Sequence, residues 1–307
     1  MSTESKIINF MKLRGLASVL SIAMVLASIG ILATKGLNFG LDFTGGTLIE
    51  VLYEEPQPLE EVRSTLSGAG YENAIVVNFG SDTDVLVRLP QGMSPKLGEE
   101  VLATLRADAP SEVELLRIEF VGPQVGEKLR EQGGLAVLLA LIVVLIYIAM
   151  RFQIKFAVGA VAALVHDVII TLGAFALVGW DFDLTVLAAI LAVIGYSLND
   201  SIVVADRIRE NLRKLRKHEA FDVVNISLTE TLDRTLATSG TTMLVLVALA
   251  VFGGDMIHSF ALALIIGIGV GTYSSIYIVA NLLLTMNISQ DDLIVIQKEG
   301  AEIDDLP

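Results

Sequence analysis

The sequence predicts a polytopic α-helical membrane protein of six transmembrane helices, with a small α+β domain inserted between the first and second. Three observations carry that reading. The 307 residues are 53% hydrophobic and only 18% charged. The apolar residues are gathered into six long runs instead of being scattered. One long segment between the first two runs switches to the short alternations and helical spacings of a water-exposed domain.

A helix needs about 20 residues to cross a bilayer, with a working range of roughly 17–25. The runs 16–33, 135–150, 156–179, 184–205, 236–252 and 260–284 fall in or close to that range. A soluble chain of this length would have to hide all six in one core. The first run reads as an anchor and not as a cleaved signal peptide. Its apolar stretch exceeds the usual core of about 7–15 residues, and no clear A-x-A site follows it.

Orientation follows from the positive-inside rule. Lys6, Lys12 and Arg14 precede the first run. Arg151 and Lys155 lie between the second and third, and the basic cluster from Arg207 to Lys217 follows the fourth. The short loops on the other side, 180–183 and 253–259, carry no Lys or Arg. Both termini are therefore expected on the cytoplasmic side and the long loop on the exported side. The division is residues 1–37 as cytoplasmic N-terminus and first helix, and 38–126 as exported domain. Residues 127–286 hold the other five helices, and 287–307 form an acidic, solvated tail.

The exported segment reads in order as a strand (47–53), a helix (58–67) stopped by Gly68 and Gly70, and a strand (74–79). A turn over 80–84, a strand (85–89), a helix (94–108) and a last strand (113–120) follow. The order βαββαβ is that of a ferredoxin-like split unit. Asn38-Phe-Gly-Leu-Asp-Phe-Thr-Gly-Gly46 precedes it and Val121-Gly-Pro-Gln-Val-Gly126 follows it. Gly45, Gly46, Gly122, Pro123 and Gly126 support two readings: tight turns joining sheet to helices, or hinges that let the domain tilt. Gly45-Gly46 is not a phosphate loop, since no G-K-[ST] follows.

Ionisable groups inside lipid cost about 2.5 kcal/mol or more and need a reason. Asp200, in Tyr196-Ser-Leu-Asn-Asp-Ser201, lies about 8 Å from the end of the fourth run at 1.5 Å per residue. It reads as a proton carrier or as a hydrogen-bonding contact between helices. Residues 219–233 look like an amphipathic helix at the interface. Arg234 then enters the fifth run at a depth similar to Asp200, either as a snorkelling cation or as a switchable counter-ion. His166 and Asp167, near the middle of the third run, read as a proton relay or as structural hydrogen-bonding groups. Gly267, Gly269 and Gly271 in the sixth run, followed by Ser274 and Ser275, read as close helix packing or as a partner-facing surface.

The net charge of −14 argues against nucleic acid as a partner. The chain has no cysteine, which excludes a disulfide scaffold, a thiolate metal site and a cysteine nucleophile. With no ATP-binding loop, nucleophile triad or metal motif visible, no catalytic residue, metal or cofactor is expected.

Five stretches together resemble the SecF family. They are Asn38 to Thr47, Phe120 to Gly126, Gly195 to Asn211 (Gly195-Tyr-Ser-Leu-Asn-Asp-Ser-Ile-Val-Val-Ala-Asp-Arg-Ile-Arg-Glu-Asn211), Arg234-Thr-Leu-Ala-Thr-Ser-Gly-Thr-Thr242, and the pair His166-Asp167. The resemblance runs from Leu16 to about Met286 in the family's order. It implies one half of a resistance-nodulation-division transporter in the bacterial inner membrane, with SecD as the other half. It also implies the SecYEG channel, a YajC-like accessory subunit and a translocating preprotein as partners, and the lipid bilayer as solvent. In that family the proton motive force helps to draw preproteins out on the exported side. The proton-linked positions fall on Asp200 and Arg234, with Asn199 beside Asp200. Two other readings stay open on the residues: a small-molecule or lipid exporter, for which an exported module of about 80 residues leaves little room, and a scaffold subunit. An uncharged isostere at Asp200 separates scaffold from carrier.

Overall fold

Among the described residues, six helices are long and apolar enough to cross a membrane, and they account for most of the chain. They appear in a computed structural model that describes residues 7–89, 96–290 and 292. A 3₁₀ turn, Phe10–Leu13, runs into α1 (Arg14–Thr34). A two-residue strand β1 (Asn38–Phe39) and a single-turn helix α2 (Leu41–Thr44) lead into the sheet domain. The other five spans are α5 (Pro123–Arg151), α6 (Ile154–Val178), α7 (Leu184–Lys214), α8 (Ala220–Phe252) and the composite span Ile257–Thr285.

The sheet domain comprises β2 (Gly46–Tyr53), α3 (Leu59–Gly68), β3 (Ile75–Phe79), β4 (Ser81–Leu89), α4 (Leu97–Asp108) and β5 (Val113–Val121). Strand order is β3-β4-β2-β5 and every neighbouring pair is antiparallel. Numbered within the domain, that is the 4-1-3-2 order of the split βαββαβ unit. Alternation decides the faces: Ile49, Val51 and Tyr53 of β2 and Val85, Val87 and Leu89 of β4 point one way. They are buried against Val62 and Leu66 of α3 and Val101 and Leu105 of α4.

Two boundaries differ from the sequence expectation. The turn over 80–84 contracts to Gly80, whose φ of +75° closes the hairpin alone, so that β4 begins at Ser81. The left-handed conformation is cheap only for glycine. The helix expected over 94–108 is described from Leu97; Ser94 and Pro95 lie outside the described residues, as do Lys6 and the acidic tail positions Asp291, Glu302, Asp304 and Asp305.

The transmembrane core forms around α7, which packs on α6, α8 and the last span. Val186, Ala189, Ile190, Val193 and Ile194 fill the centre. Helices α1 and α5 lie at the periphery, and α5 leaves Leu138, Leu139, Val143 and Ile146 uncovered. Lipid is the natural solvent for that face, because a helix satisfies its backbone polar groups internally.

The expected interfacial helix 219–233 is not a separate element. Helix α8 runs unbroken for 33 residues, so Arg234 sits within a helix and not at a junction. No proline interrupts it, and its first turns are anchored by buried polar contacts. Asn211 donates to Ser227 Oγ at 3.0 Å, and the Met11 backbone N–H donates to Asn225 Oδ1 at 3.0 Å.

The last span has three parts: α9 (Asp255–Ser274), a π-helical turn (Ser275–Val279) and α10 (Ala280–Thr285). Ser274 and Ser275 return their hydroxyls to the carbonyls of Gly271 and Thr272 at 3.1 and 3.0 Å. Widened turns of this kind often sit at functional positions.

Candidate functional site: buried carboxylates and the junction with the sheet domain

Asp200 is buried, with 3% of its surface exposed, on the inward face of α7. Its Oδ2 accepts a hydrogen bond from Ser239 Oγ of α8 at 3.4 Å, a long contact. Ser239 Oγ in turn accepts one from Thr272 Oγ1 of α9 at 2.8 Å. A buried carboxylate held by one hydroxyl is under-compensated, because a buried charge is costly unless paired and fully hydrogen-bonded. Asp200 forms no ion pair among the described residues, yet the charge of Arg234 acts on it. The groups face different surroundings. Arg234 and Asn199 are exposed, and both line an open vestibule of about 800 Å³ between α7 and α8. This vestibule lies at the end of the bundle away from the sheet domain.

Ion pairs surround the vestibule. Arg207 bridges Glu230 of α8 and Glu210 of its own helix, each at 2.7 Å. Asp206 binds Arg209 at 2.9 Å and Arg151, at the end of α5, at 3.0 Å. These pairs are partly exposed and each is worth at most about 1 kcal/mol. Together they set the spacing of α5, α7 and α8 while leaving Arg234 without an ion pair among the described residues.

The second buried carboxylate is Asp167, fully covered in α6. Neighbours on a helix point about 100° apart, but His166 Nδ1 reaches Asp167 Oδ1 at 2.9 Å. The other oxygen accepts from Ser197 of α7 at 2.5 Å and Ser274 of α9 at 2.7 Å. Asp167 therefore fastens three helices at one point. The small residue Gly271 faces the same point: a Cβ there would sit 3.4 Å from Ser197 Cβ and 3.5 Å from Asp167 Oδ2, in ordinary contact with both. Ser197 and Asp200 are three residues apart on α7, so one helix carries a contact to each carboxylate centre.

The glycine-rich segments flanking the sheet domain are distant in sequence and touch in space. Gly45 has φ +68°, and a Cβ on it would lie 2.9 Å from Pro123 Cα. A Cβ on Gly126 would lie 2.8 Å from the backbone nitrogen of Gly45. Gly46 opens β2 opposite Val121, and Gly122 caps α5, which starts at Pro123. Pro suits that first helical position, where its missing N–H has no intrahelical acceptor.

The same junction grips the start of α7. β1 pairs in parallel with β6 (Asp181–Phe182). Phe39, Phe43 and Phe182 cluster at centroid distances of 5.9–6.1 Å. Arg88 of β4 donates to Phe39 O and to Thr44 Oγ1, both at 2.6 Å. Asp42 Oδ2 accepts from Leu184 N at 3.0 Å, and Asp183 Oδ1 accepts from Val186 N at 2.8 Å. Two carboxylates, one from outside the helix, thus satisfy N–H groups at the α7 N-terminus, where negative charge is favoured.

Sequence reasoning did not single out Asp42, Ser197, Ser239 or Thr272. The three hydroxyl residues sit in apolar or helix-packing stretches and read as small packing residues. Their one available signal is that each lies in the same third of its span as a buried acid on a neighbouring helix.

Comparison with known proteins agrees with this architecture. Residues 101–289 match the family model described as protein export membrane protein SecD/SecF, C-terminal, and residues 30–57 match the SecD/SecF GG motif. That motif includes Gly45 and Gly46. The protein translocase subunit SecF of Vibrio alginolyticus is 52% identical over 307 residues, covering 98% of both chains. Its counterpart in Escherichia coli O157:H7 is 43% identical over 97% of this chain and 94% of that one. The crystal structure of SecDF, a translocon-associated membrane protein from Thermus thermophilus, superposes with a TM-score of 0.85 at 38% identity. A structure of SecDF in a super-membrane-facing form superposes with a TM-score of 0.70. This chain covers 40% of each SecDF chain, and 94% of it is covered in return. The chain belongs to the SecF family of protein translocase subunits.

Proposed function

We propose that this chain is the SecF half of a SecD–SecF complex of the bacterial inner membrane, and that it uses the proton motive force to help draw preproteins out of the SecYEG channel. Residues 38–126 lie on the exported side and both termini in the cytoplasm. A YajC-like accessory subunit completes the assembly. Six helices form only one of two repeats, so a second half is needed to enclose a central pathway. The length relationship to SecDF supports this, since the chain spans 40% of that protein.

The observation that carries the mechanism is the separation of Asp200 from Arg234. Asp200 is buried with a single long hydroxyl contact, while Arg234 and Asn199 line the vestibule beside it. Protonation removes the charge of Asp200 and its attraction to Arg234. Loss of the proton restores both. One proton crossing 100 mV supplies about 2.3 kcal/mol, enough to shift helices held by marginal polar contacts. The movement reaches the exported domain along α7. Leu184 lies sixteen residues from Asp200, about 24 Å up a rigid helix, and is bonded to Asp42 of the junction. Gly45, Gly46, Gly122, Pro123 and Gly126 then act as the pivot on which the domain tilts.

The test is preprotein release and proton entry in inverted vesicles holding this chain and SecD, compared between native protein and Asp200→Asn. Loss of both with the complex assembled supports the reading. Normal release from Asp200→Asn vesicles overturns it, and makes the carboxylate a structural contact.

A further inference from the structure

We propose that the groove between α1, α6 and the last span is a binding site for one acyl chain of an anionic phospholipid, whose headgroup rests on Lys12 and Arg14 at the bundle end away from the sheet domain. This site goes beyond the transport reading and does not depend on it.

The groove encloses about 310 Å³, and its walls are largely aliphatic. Ile22, Val25 and Leu26 come from α1, Ala162 from α6, and Ile278 and Leu282 from the last span. The polar side chains on the α1 wall are already engaged. Ser18 Oγ donates to Arg14 O at 2.8 Å and accepts from Asn281 Nδ2 at 2.6 Å. Ser21 Oγ lies 3.0 Å from the Tyr273 hydroxyl, which donates to Ala17 O at 2.9 Å. With those bonds made, what α1 turns to the groove is hydrocarbon, and an apolar cavity stays dry and takes an apolar guest.

Size selects the guest. Toward the sheet domain α1 packs tightly on α6, where Gly173 has no room for a Cβ against Ser28. From Ser18 to Leu26 the groove follows α1 for about 12 Å, within the roughly 15 Å of one leaflet's hydrocarbon. A methylene is close to a water molecule in size, and at about 30 Å³ each the volume holds roughly ten. A transmembrane helix of another subunit does not fit, because a single turn about 10 Å across and 5.4 Å long fills about 420 Å³. One lipid chain does.

Charge selects the headgroup. Arg14 lies one turn before Ser18, so it belongs to the same stripe of α1 as the groove residues. Its guanidinium sits 5.9 Å from the centre of the Phe221 ring of α8, and both Arg14 and Lys12 are exposed. Neither forms an ion pair among the described residues. No aspartate or glutamate lines the groove to repel an anion. A guanidinium matches the oxygens of a phosphate, and basic side chains beside a cleft between membrane helices take anionic headgroups. A chain in the groove and a phosphate on Arg14 and Lys12 therefore satisfy one lipid molecule at both ends.

The probe is phosphatidylglycerol with a diazirine in the middle of one acyl chain, at low abundance in phosphatidylcholine vesicles holding the full chain. The same photolabel on phosphatidylcholine is the comparison. After irradiation, labelled peptides are quantified by mass spectrometry. Two exposed cations are expected to give the anionic probe an advantage of about tenfold or more at Ile22, Val25 and Leu282. Leu139 and Ile142, on the uncovered face of α5, should be labelled alike by both probes. Lys12→Gln with Arg14→Gln should abolish the preference while leaving the groove labelled. Ala162→Phe, which fills the groove, should remove the label from it. Should Ala162→Phe fail to fold, Leu26→Trp at the lipid-exposed rim should cut the label in its place. Equal labelling of the groove by both probes overturns the proposal, since ordinary surrounding lipid would do the same. So does a preference that survives the loss of Lys12 and Arg14, which would put the headgroup elsewhere. A groove that stays unlabelled while α5 is labelled means no chain enters, and overturns it too.

Discussion

Asp42, in the single-turn helix before the sheet domain, accepts a 3.0 Å hydrogen bond from the backbone N–H of Leu184, the first residue of the helix that carries Asp200. The contact joins segments 142 residues apart. It ties the base of the sheet domain to one end of a rod whose other half holds Asp200 and the vestibule.

Asp42→Ala should therefore cost little stability and much coupling. Losing a carboxylate at a helix N-terminus costs about 1 kcal/mol, and Asp183 still satisfies Val186 N. Thermal unfolding in detergent should drop by only a few degrees. Preprotein release should fall much further in vesicles containing the same amount of assembled complex. A release rate that only follows the stability loss would make Asp42 an ordinary cap.

The two flanking glycine motifs make a packing prediction. A methyl group on Gly126 meets the Gly45 backbone at 2.8 Å, and backbone cannot rotate away as a side chain can. Overpacking of this kind costs about 1–3 kcal/mol. Gly134, eight residues further along α5, has nothing within 4 Å. Gly134→Ala should raise stability by about 0.5–1 kcal/mol, because alanine suits a helix interior better. Opposite signs from the two substitutions, read by thermal denaturation of the full chain, separate close approach from general intolerance of glycine replacement. Two losses of equal size would contradict the contact.

The six spans were legible because lipid imposes a length and a composition that no short contact can override. The sheet domain was legible because alternation and helical spacing are local. What stayed hidden was pairing at a distance. Nothing around Asp42 announces Leu184, and Gly45 does not advertise Pro123. The same holds for Ser197 and Ser274, each unremarkable in its own run until the fold brings both to Asp167. The expected break before Arg234 failed for a related reason. The amphipathic pattern over 219–233 is real, but its apolar and polar stripe packs on α7 and on the N-terminal segment, so the helix continues straight into the membrane.

A pH prediction follows from Lys155. It donates to Asp292 at 2.7 Å and to the Asn287 carbonyl at 3.1 Å, joining the start of α6 to the segment after α10. The hydrogen bond from Lys155 holds the Asp292 carboxyl below the usual carboxylate range, against a smaller opposing effect of burial. An acid whose folded pKa is lowered stabilises the fold above its unfolded pKa and stops doing so as pH falls through the folded one. The contribution is therefore full at neutral pH and disappears only below the ordinary aspartate pKa of about 3.9. Both side chains are partly exposed, which limits it to about 1 kcal/mol or less. Asp292→Asn should lower stability at pH 7 by that amount and by less at pH 2. An equal difference at both pH values would assign the effect to packing.

Asp167 offers the sharpest stability contrast in the bundle. Its two oxygens accept from Ser197 and Ser274 and meet His166 Nδ1, all within buried surroundings. Asp167→Ala removes every acceptor at once and strands Ser197 and His166 Nδ1 among apolar neighbours, leaving Ser274 only the Gly271 carbonyl. Each stranded group costs about 1–3 kcal/mol, so several kcal/mol should be lost and α6, α7 and α9 should separate more easily. Asp167→Asn keeps the shape and one carbonyl oxygen, and serine hydroxyls can turn to accept from its amide. Its cost should stay near 1 kcal/mol. Urea or thermal unfolding of both variants in the same detergent gives the ratio. If asparagine is as damaging as alanine, the negative charge itself holds the three helices.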